Sequence, residues 1–490
     1  MPNADNTETR NILLEIIDQQ KLNNIIFESG LNEKSQETET QMNLLLHEIT
    51  QLSETVDPDS QAILERLIRT IDAKISKQLN EILHNKKFQK LEASWRGLKY
   101  LVDNTETSSM LKIKVLDISK EELTKETLKV PKVESTNMYK KIVNQQYQQF
   151  GGESFGALIG DFEFRNDNDD YILLTYISQI AAATHTPYIG TASPHLFGRE
   201  TYEDIINMED LSEAFDGEEY AKWRSFRNSE DSRYVSLCLP YMLLREPHNI
   251  KESTLNFVEE VEGKTDKNYL WGNVAYALAA RITNAFEKYH WCASIRGVEG
   301  GGLVENLPIH SFPTDGGNIA NKCPTQVQIN DIVEKKLSDL GFIPLVHCKG
   351  EDFAAFFSLQ TTHLPKKWGG KKGPEANASE KLSAQLPYIM IESRFAHYLK
   401  PIMRNKLGLS WTKQNLKNYL NEWISDYILL DDGAGQETKA RFPLRGAEVE
   451  VFEDDSKPGV YAATIKLLPH FQLDEVMISL RLVGKLGQKQ

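Results

Sequence analysis

Along residues 269–286, Tyr269, Leu270, Val274, Leu278, Ile282 and Phe286 recur at three- and four-residue spacing. That periodicity predicts an amphipathic helix over 269–291. Gly297, Gly300, Gly301 and Gly302 then break it, as backbone that turns sharply or lies against another chain. Residues 1–105 also read as helical. Ile12, Leu13, Ile16 and Ile17 form the apolar side of a short element over 11–18, and Leu45, Leu46, Ile49 and Leu52 mark a second. A third begins with Asp57 as N-cap and Pro58 at the first helical position. Its apolar positions are Ile63, Leu64, Leu67, Ile68, Ile71, Ile75, Leu79 and Ile82, close to a heptad seam. Two readings remain open: an ordinary helix packing on its own domain, or one sharing a bundle with another chain. The sparse apolar content of 30–60 favours the second.

Further along, apolar runs alternate with helical periods. Strands are expected at 110–118, 157–164, 188–192, 235–239 and 341–346. Helices are expected from near Lys120, over 137–149, over 171–184 and over 330–339. Such alternation argues an α/β core. Residues 365–378, rich in Lys, Gly and Pro, read as an exposed mobile insert. Helices return over 382–399 and 411–430. The pattern then becomes period two at 447–452, 461–468 and 476–483. In the last segment Val476, Ile478, Leu480 and Leu482 share one face, and Met477, Ser479, Arg481 and Val483 the other. A ribbon apolar on nearly both faces needs cover, and an open edge invites another chain.

Composition narrows the function. A chain of 490 residues with 40% hydrophobic content can bury a substantial core. Its net charge of −14 argues against general binding to nucleic acid or an anionic membrane. No apolar run approaches the ~18 residues of a membrane span, and the N-terminus does not read as a signal peptide. The four cysteines, Cys238, Cys292, Cys323 and Cys348, include no C-x-x-C spacing. They read as free, mostly buried thiols in a reducing cytosol.

Candidate chemistry is weak throughout. The glycines at 297–302 lack the Lys-Ser or Lys-Thr of a phosphate loop, and Glu299 and Glu305 flank them. Gly152-Glu153-Ser154-Phe155-Gly156 fits the G-x-S-x-G pattern, but an apolar strand follows the serine where a nucleophile elbow needs one before it. Asp167, Asp169 and Asp170 lack the glycine and glutamate of a calcium loop, so a solvated turn is expected. His347-Cys348, and His290 with Cys292, have no second matching pair for a zinc site. The run 224–235 reads either as a solvated face or as internal salt links or an interface. These observations point away from an enzyme, with no cofactor and no metal expected.

Several blocks of the chain resemble the large sheath subunit of type VI secretion systems, the TssC/VipB family. They include FQKLEASWRGLKYLV (88–102), YAKWRSFRNSEDSRYVSL (220–237), YLWGNVAYALAARITNAF (269–286), SIRGVEGGGLVENLP (294–308) and KCPTQ (322–326). LSDLGFIPLVHCKG (337–350), SRFAHYLK (393–400) and LPHFQLDEVMISLRLVGKL (468–486) complete the set. The resemblance implies a contractile-sheath fold of the α/β class. It has N-terminal helices (1–105) that pair with a small subunit, an α/β body (106–380), and a C-terminal core domain (381–490) with inter-subunit strands. It implies a cytoplasmic, structural protein that pairs with a small sheath subunit of the TssB/VipA type. The heterodimers stack around a tube of Hcp hexamers on a baseplate, bind neighbouring sheath protomers, and contract. A ClpV-type ATPase recycles such sheaths in many systems, and Ile12, Leu13, Ile16 and Ile17 occupy the position of its binding helix. The implied small-subunit contacts are Leu64, Leu67, Ile71 and Ile75, and the implied inter-subunit strand is 476–483. A sheath subunit of a phage tail or an extracellular contractile particle is the alternative.

Overall fold

The structure is a computed structural model that describes residues 60–250, 257–369, 373–405, 412–431, 433–453 and 461–470. The chain divides into two compact units, one combining residues up to Asn85 with Pro247–Glu260, the other Lys86–Glu246 with Val261 onward. Its described part of the smaller unit is a long helix, α1 (Ser60–Leu83), and a short antiparallel pair, Asn249–Ile250 with Phe257–Val258. Buried Asn80 of α1 accepts a hydrogen bond from the Glu260 amide at 3.0 Å, which ties helix to hairpin. The sequence pattern gave no hint that 247–260 belongs with the N-terminal helix.

The larger unit opens with α2 (Lys86–Asp103), grouped at the sequence level with the N-terminal helices. The strand expected at 110–118 does not form. Ile113 and Ile118 pack on the core, and Lys112 and Lys114 both bond Glu153. Among the described residues no strand pairs with this stretch, so its β-branched composition has no ladder to join. Next come β1 (Leu158–Phe164), α3 (Asn168–Thr184), β2 (Tyr188–Ala192) and β3 (Val235–Leu239). They are followed by α4 (Ala275–Tyr289), β4 (Leu303–Val304), α5 (Asp331–Asp339), β5 (Phe342–His347) and β6 (Ala354–Phe356).

These strands build one six-stranded sheet in the order β1-β2-β3-β5-β6-β4. The first four strands are parallel, and β6 and β4 add antiparallel to the edge. All residues of β2 and β3 are buried, as expected of parallel strands covered on both faces. Strand alternation sorts the side chains. Tyr188, Leu237 and Phe342 join a core with Leu174 and Ile177 of α3, while Ile189, Cys238 and Ile343 join a second with Ala277 and Leu278 of α4. Trp223 is fully buried and stacks on Phe342 at 5.8 Å and 17°. Each such buried aliphatic or aromatic side chain contributes roughly 1.5–3 kcal/mol relative to exposure.

Several local expectations need correction. Tyr269 and Leu270 precede the helix, because Trp271–Gly272 pairs antiparallel with Met242–Leu243 and α4 starts only at Ala275. The insert at 365–378 is not loop throughout, since a helix spans Gly373–Ser383. Asp167–Asp170 is no solvated turn. It opens α3, and the Asp170 carboxylate is buried against the Lys120 ammonium at 2.7 Å and the Arg165 amide at 2.7 Å. Of the two readings of 224–235, neither holds throughout: Glu230 pairs with Arg233 and Lys366 at an exposed carboxylate, while Arg227 is internal but bonded to carbonyls and not in a salt link. Arg227 is buried and donates to the Thr362 carbonyl at 2.9 Å, and burial pushes its guanidinium down to about 10.

After α6 (Leu386–Asn405) and α7 (Lys413–Ser425) comes an antiparallel ribbon, β7 (Leu444–Glu453) with β8 (Tyr461–Pro469). Trp291, Phe395, Leu420, Val449 and Val451 form a separate core beneath it. Residues 11–18 and 476–483 lie outside the described residues.

Candidate assembly interfaces

Among the described residues, three surfaces carry exposed apolar groups. The first is on α1. Its 24 residues include Ile68, Ile75 and Ile82, seven residues apart and 45%, 41% and 43% exposed. Seven-residue spacing returns a side chain to nearly the same helix face, so these three form one stripe. Ile71 is half-buried, and Leu64 and Leu67 lie on the helix. Of the four expected small-subunit contacts, Ile75 stands on the exposed stripe. Its companions Ile68 and Ile82 were read as apolar seam positions of the helix but not placed among the four expected contacts.

The second surface is on α2. One side of this helix docks on α4, where Gly97 lets the Tyr276 ring approach: a Cβ there would lie 2.4 Å from Tyr276 Cδ2. The other side exposes Phe88, Leu91, Trp95 and Val102, with Trp95 at 64%. Positions 88, 91, 95 and 102 follow i, i+3, i+7 and i+14, one helical face. Sequence reading found the block 88–102 but did not assign its apolar residues to an outer face. Glu92, on the same helix, accepts from Arg245 Nε at 2.8 Å and Arg96 Nε at 2.7 Å. Burial pushes the Glu92 carboxyl up, but the hydrogen bonds from Arg245 and Arg96 outweigh it and hold it below the usual range.

The third is the β7–β8 ribbon. Cα partners run from Leu444↔Pro469 to Glu453↔Tyr461. Val449 and Val451 point into the core, while Phe452 and Leu468 are exposed at 47% each. Among the described residues the sheet has only these two strands, so the outer edge of β8 has backbone groups with no strand opposite. Val476, Ile478, Leu480 and Leu482, expected to pair with neighbours, lie outside the described residues. So do Ile12, Leu13, Ile16 and Ile17.

The candidate enzymatic motifs gain no support. Ser154 sits in an irregular segment between a helical turn ending at Gln148 and β1, so no strand precedes it. The glycines after α4 form a turn in which the Gly302 amide donates to the Gly297 carbonyl at 2.9 Å. Gly297 and Gly301 have φ of 71° and 89°, and a Cβ on Gly302 would meet Phe356 O at 2.7 Å. Of the two uses foreseen for these glycines, the sharp turn is the one present, packed against the chain's own β6. Among the described residues no His, Cys, Asp or Glu cluster could hold a metal ion, and no helix is long and apolar enough to cross a membrane.

Comparison with known proteins matches two family models. Residues 65–363 match the EvpB/VC_A0108 tail sheath N-terminal domain, and 375–486 match the EvpB/VC_A0108 tail sheath gpW/gp25-like domain. The chain is 43% identical over 455 residues to the type VI secretion system sheath protein TssC1 of Pseudomonas aeruginosa, covering 91% of each. Among solved structures, a chain of the anti-feeding prophage baseplate aligns at 8% identity over 78% of this chain and 85% of that chain, with a TM-score of 0.37. A chain of that prophage's contracted helical sheath aligns at 11% identity over 64% and 67%, with a TM-score of 0.31.

Proposed function

This chain belongs to the EvpB/VC_A0108 tail sheath family and is a sheath subunit of the type VI secretion kind, and from that premise we propose that it works as the large subunit of a two-chain contractile sheath. In this reading the exposed heptad stripe of α1 and the outer face of α2 receive helices of a small subunit. The heterodimer polymerises around an Hcp tube from a baseplate in the cytoplasm. The C-terminal ribbon and the segment 476–483 link neighbouring protomers by strand pairing. Main-chain pairing suits a contractile lattice, because the joined bodies can rotate while the ladder stays intact. The work is mechanical, stored in the assembled lattice, and needs no active site on this chain. Recycling by a ClpV-type ATPase would act through residues 11–18.

The observation that supports this reading most directly is the stripe Ile68, Ile75 and Ile82, each more than two-fifths exposed at seven-residue spacing. Leaving such a row in water forfeits the ~1.5–3 kcal/mol that burial of each side chain would give. Replacing all three by Asp is expected to leave the large subunit folded and to abolish co-purification of the small subunit. Undiminished co-purification sinks the shared-bundle reading. Deleting residues 1–20 is expected to leave sheaths that assemble and contract but are not disassembled by the recycling ATPase. Loss of assembly itself would show that this segment supports the bundle.

A further inference from the structure

Residues 323–326 are pinned against 241–243 by an isolated antiparallel bridge and two flanking hydrogen bonds. The Leu243 amide donates to the Pro324 carbonyl at 2.8 Å, the Gln326 amide to the Tyr241 carbonyl at 2.9 Å, and Met242 bridges Thr325. Cys323 stands at the start of this piece and is half-buried. Strand β5 ends at His347, whose Nδ1 lies 3.4 Å from Cys323 Sγ. The other ring nitrogen, Nε2, lies 2.8 Å from the Glu351 carbonyl oxygen. A carbonyl only accepts, so Nε2 carries a hydrogen and Nδ1 is left to receive the thiol proton. Thr325 Oγ1 lies 3.2 Å from the same sulfur, but its hydroxyl proton goes to the Val327 carbonyl at 2.9 Å, so of the two side chains His347 is the one that can donate to a thiolate.

The electrostatics agree with this geometry. Burial pushes the Cys323 thiol up, but hydrogen bonds from His347 and Thr325 outweigh it and hold the thiol below its ordinary range. Burial pushes the His347 imidazole down, but its bonds to Cys323 and the Glu351 carbonyl raise it on balance. Both shifts favour the thiolate–imidazolium pair. The remaining cysteines are differently placed. Cys238 and Cys292 are buried, and burial pushes Cys292 up to about 12. Cys348 follows His347 in the chain but is exposed, and the imidazole partner belongs to Cys323.

We propose that Cys323 and His347 form a thiol–disulfide exchange site, with Cys323 as nucleophile toward a low-molecular-weight disulfide such as glutathione disulfide. The Cys323 thiolate attacks one sulfur of that disulfide. The new sulfur–sulfur bond forms as the old one breaks, and the departing glutathione thiolate takes the proton held by the His347 imidazolium. One disulfide is exchanged for another, and no further oxidant is consumed. The product is a glutathionylated sheath subunit, reversed by excess glutathione.

The test uses the full chain in purified sheaths carrying Cys348→Ser, which leaves Cys323 as the accessible cysteine. Glutathione disulfide at neutral pH is expected to add one glutathionyl group to the Cys323 peptide by mass spectrometry. Iodoacetamide is expected to label Cys323 with a pH midpoint below the ordinary thiol range. His347→Gln is expected to lower neutral-pH labelling severalfold, since the thiolate fraction falls as the thiol returns toward its ordinary range. Where that variant disturbs folding, thiolate ultraviolet absorbance at neutral pH, present with His347 intact and lost in Cys323→Ser, reports the pair directly. Labelling only above the ordinary thiol range, with neither thiolate absorbance nor mixed disulfide at neutral pH, overturns the proposal and leaves a neutral S–H···N hydrogen bond.

Discussion

At the scale of single residues, buried charge decides more than the count of charges suggests. Arg245 is 8% exposed at its side chain and lies 2.8 Å from Glu92, itself 13% exposed. A guanidinium that deep in protein needs its carboxylate, because its own desolvation is otherwise uncompensated. Glu92→Gln keeps the shape and removes the charge, and is expected to cost about 2 kcal/mol, a hydrogen bond to a charged group. The pH dependence has a definite sign. The folded-state carboxyl is held below its usual range, so its contribution is full above that range and is lost as pH falls through the folded value. The melting temperature of the wild type should therefore converge on that of Glu92→Gln as pH drops below the carboxylate range. A constant gap between the two across acid pH would show that the pairing is not what the substitution removed. Gly97 is a second such point. Any side chain there must displace the Tyr276 ring, and overpacking of this kind costs about 1–3 kcal/mol.

At the scale of elements, a helix with two apolar faces poses a question its own domain does not answer. The inner face of α2 docks on α4 through Gly97 and Leu101, while its outer Leu91, Trp95 and Val102 stay exposed. Leu91→Ser with Trp95→Ser is expected to change the subunit's own stability by less than about 1 kcal/mol, since both side chains are already mostly in water. The same pair of changes should weaken capture of the small subunit, read by pull-down beside thermal melting. A large fall in melting temperature of the isolated chain would mean that these residues are part of its own core. The ribbon β7–β8 differs, because one of its faces is committed to the core with Trp291 and Phe395. Among the described residues, what it leaves open is chiefly a backbone edge.

At the scale of the whole molecule, strand linkage and helix docking should fail independently. Ile478→Pro would remove a ladder hydrogen bond from the expected C-terminal strand and set a ring against its partner, costing ~3 kcal/mol or more by analogy with a broken helix. Repeated at every protomer, that is expected to abolish sheath tubes in electron micrographs while the small subunit still co-purifies. Normal tubes from the proline variant would sink the inter-subunit role of 476–483. A reducible mixed disulfide on Cys323 would act separately from both, since its site lies between 241–243 and the end of β5.

The pattern of the sequence determined the elements whose environment is local or uniform. β2 and β3 read as short strands and are buried at every position because both sheet faces are covered, and α3 and α5 read from helical periods. The failure of 297–302 as a phosphate loop was equally legible, since it rests on adjacent charges and the missing lysine. The tertiary structure alone decided which faces are covered and which distant residues meet. Residues 110–118 have strand-like composition but no ladder, because pairing depends on sheet order and not on propensity. The sequence left Arg227 open between a solvated face and an internal link, and the Thr362 carbonyl, 135 positions away, decides for the interior. Cys323 and His347 are 24 residues apart, with a helix and most of a strand between them. No periodicity encodes that meeting; it follows from where β5 ends relative to a segment pinned to residues 241–243.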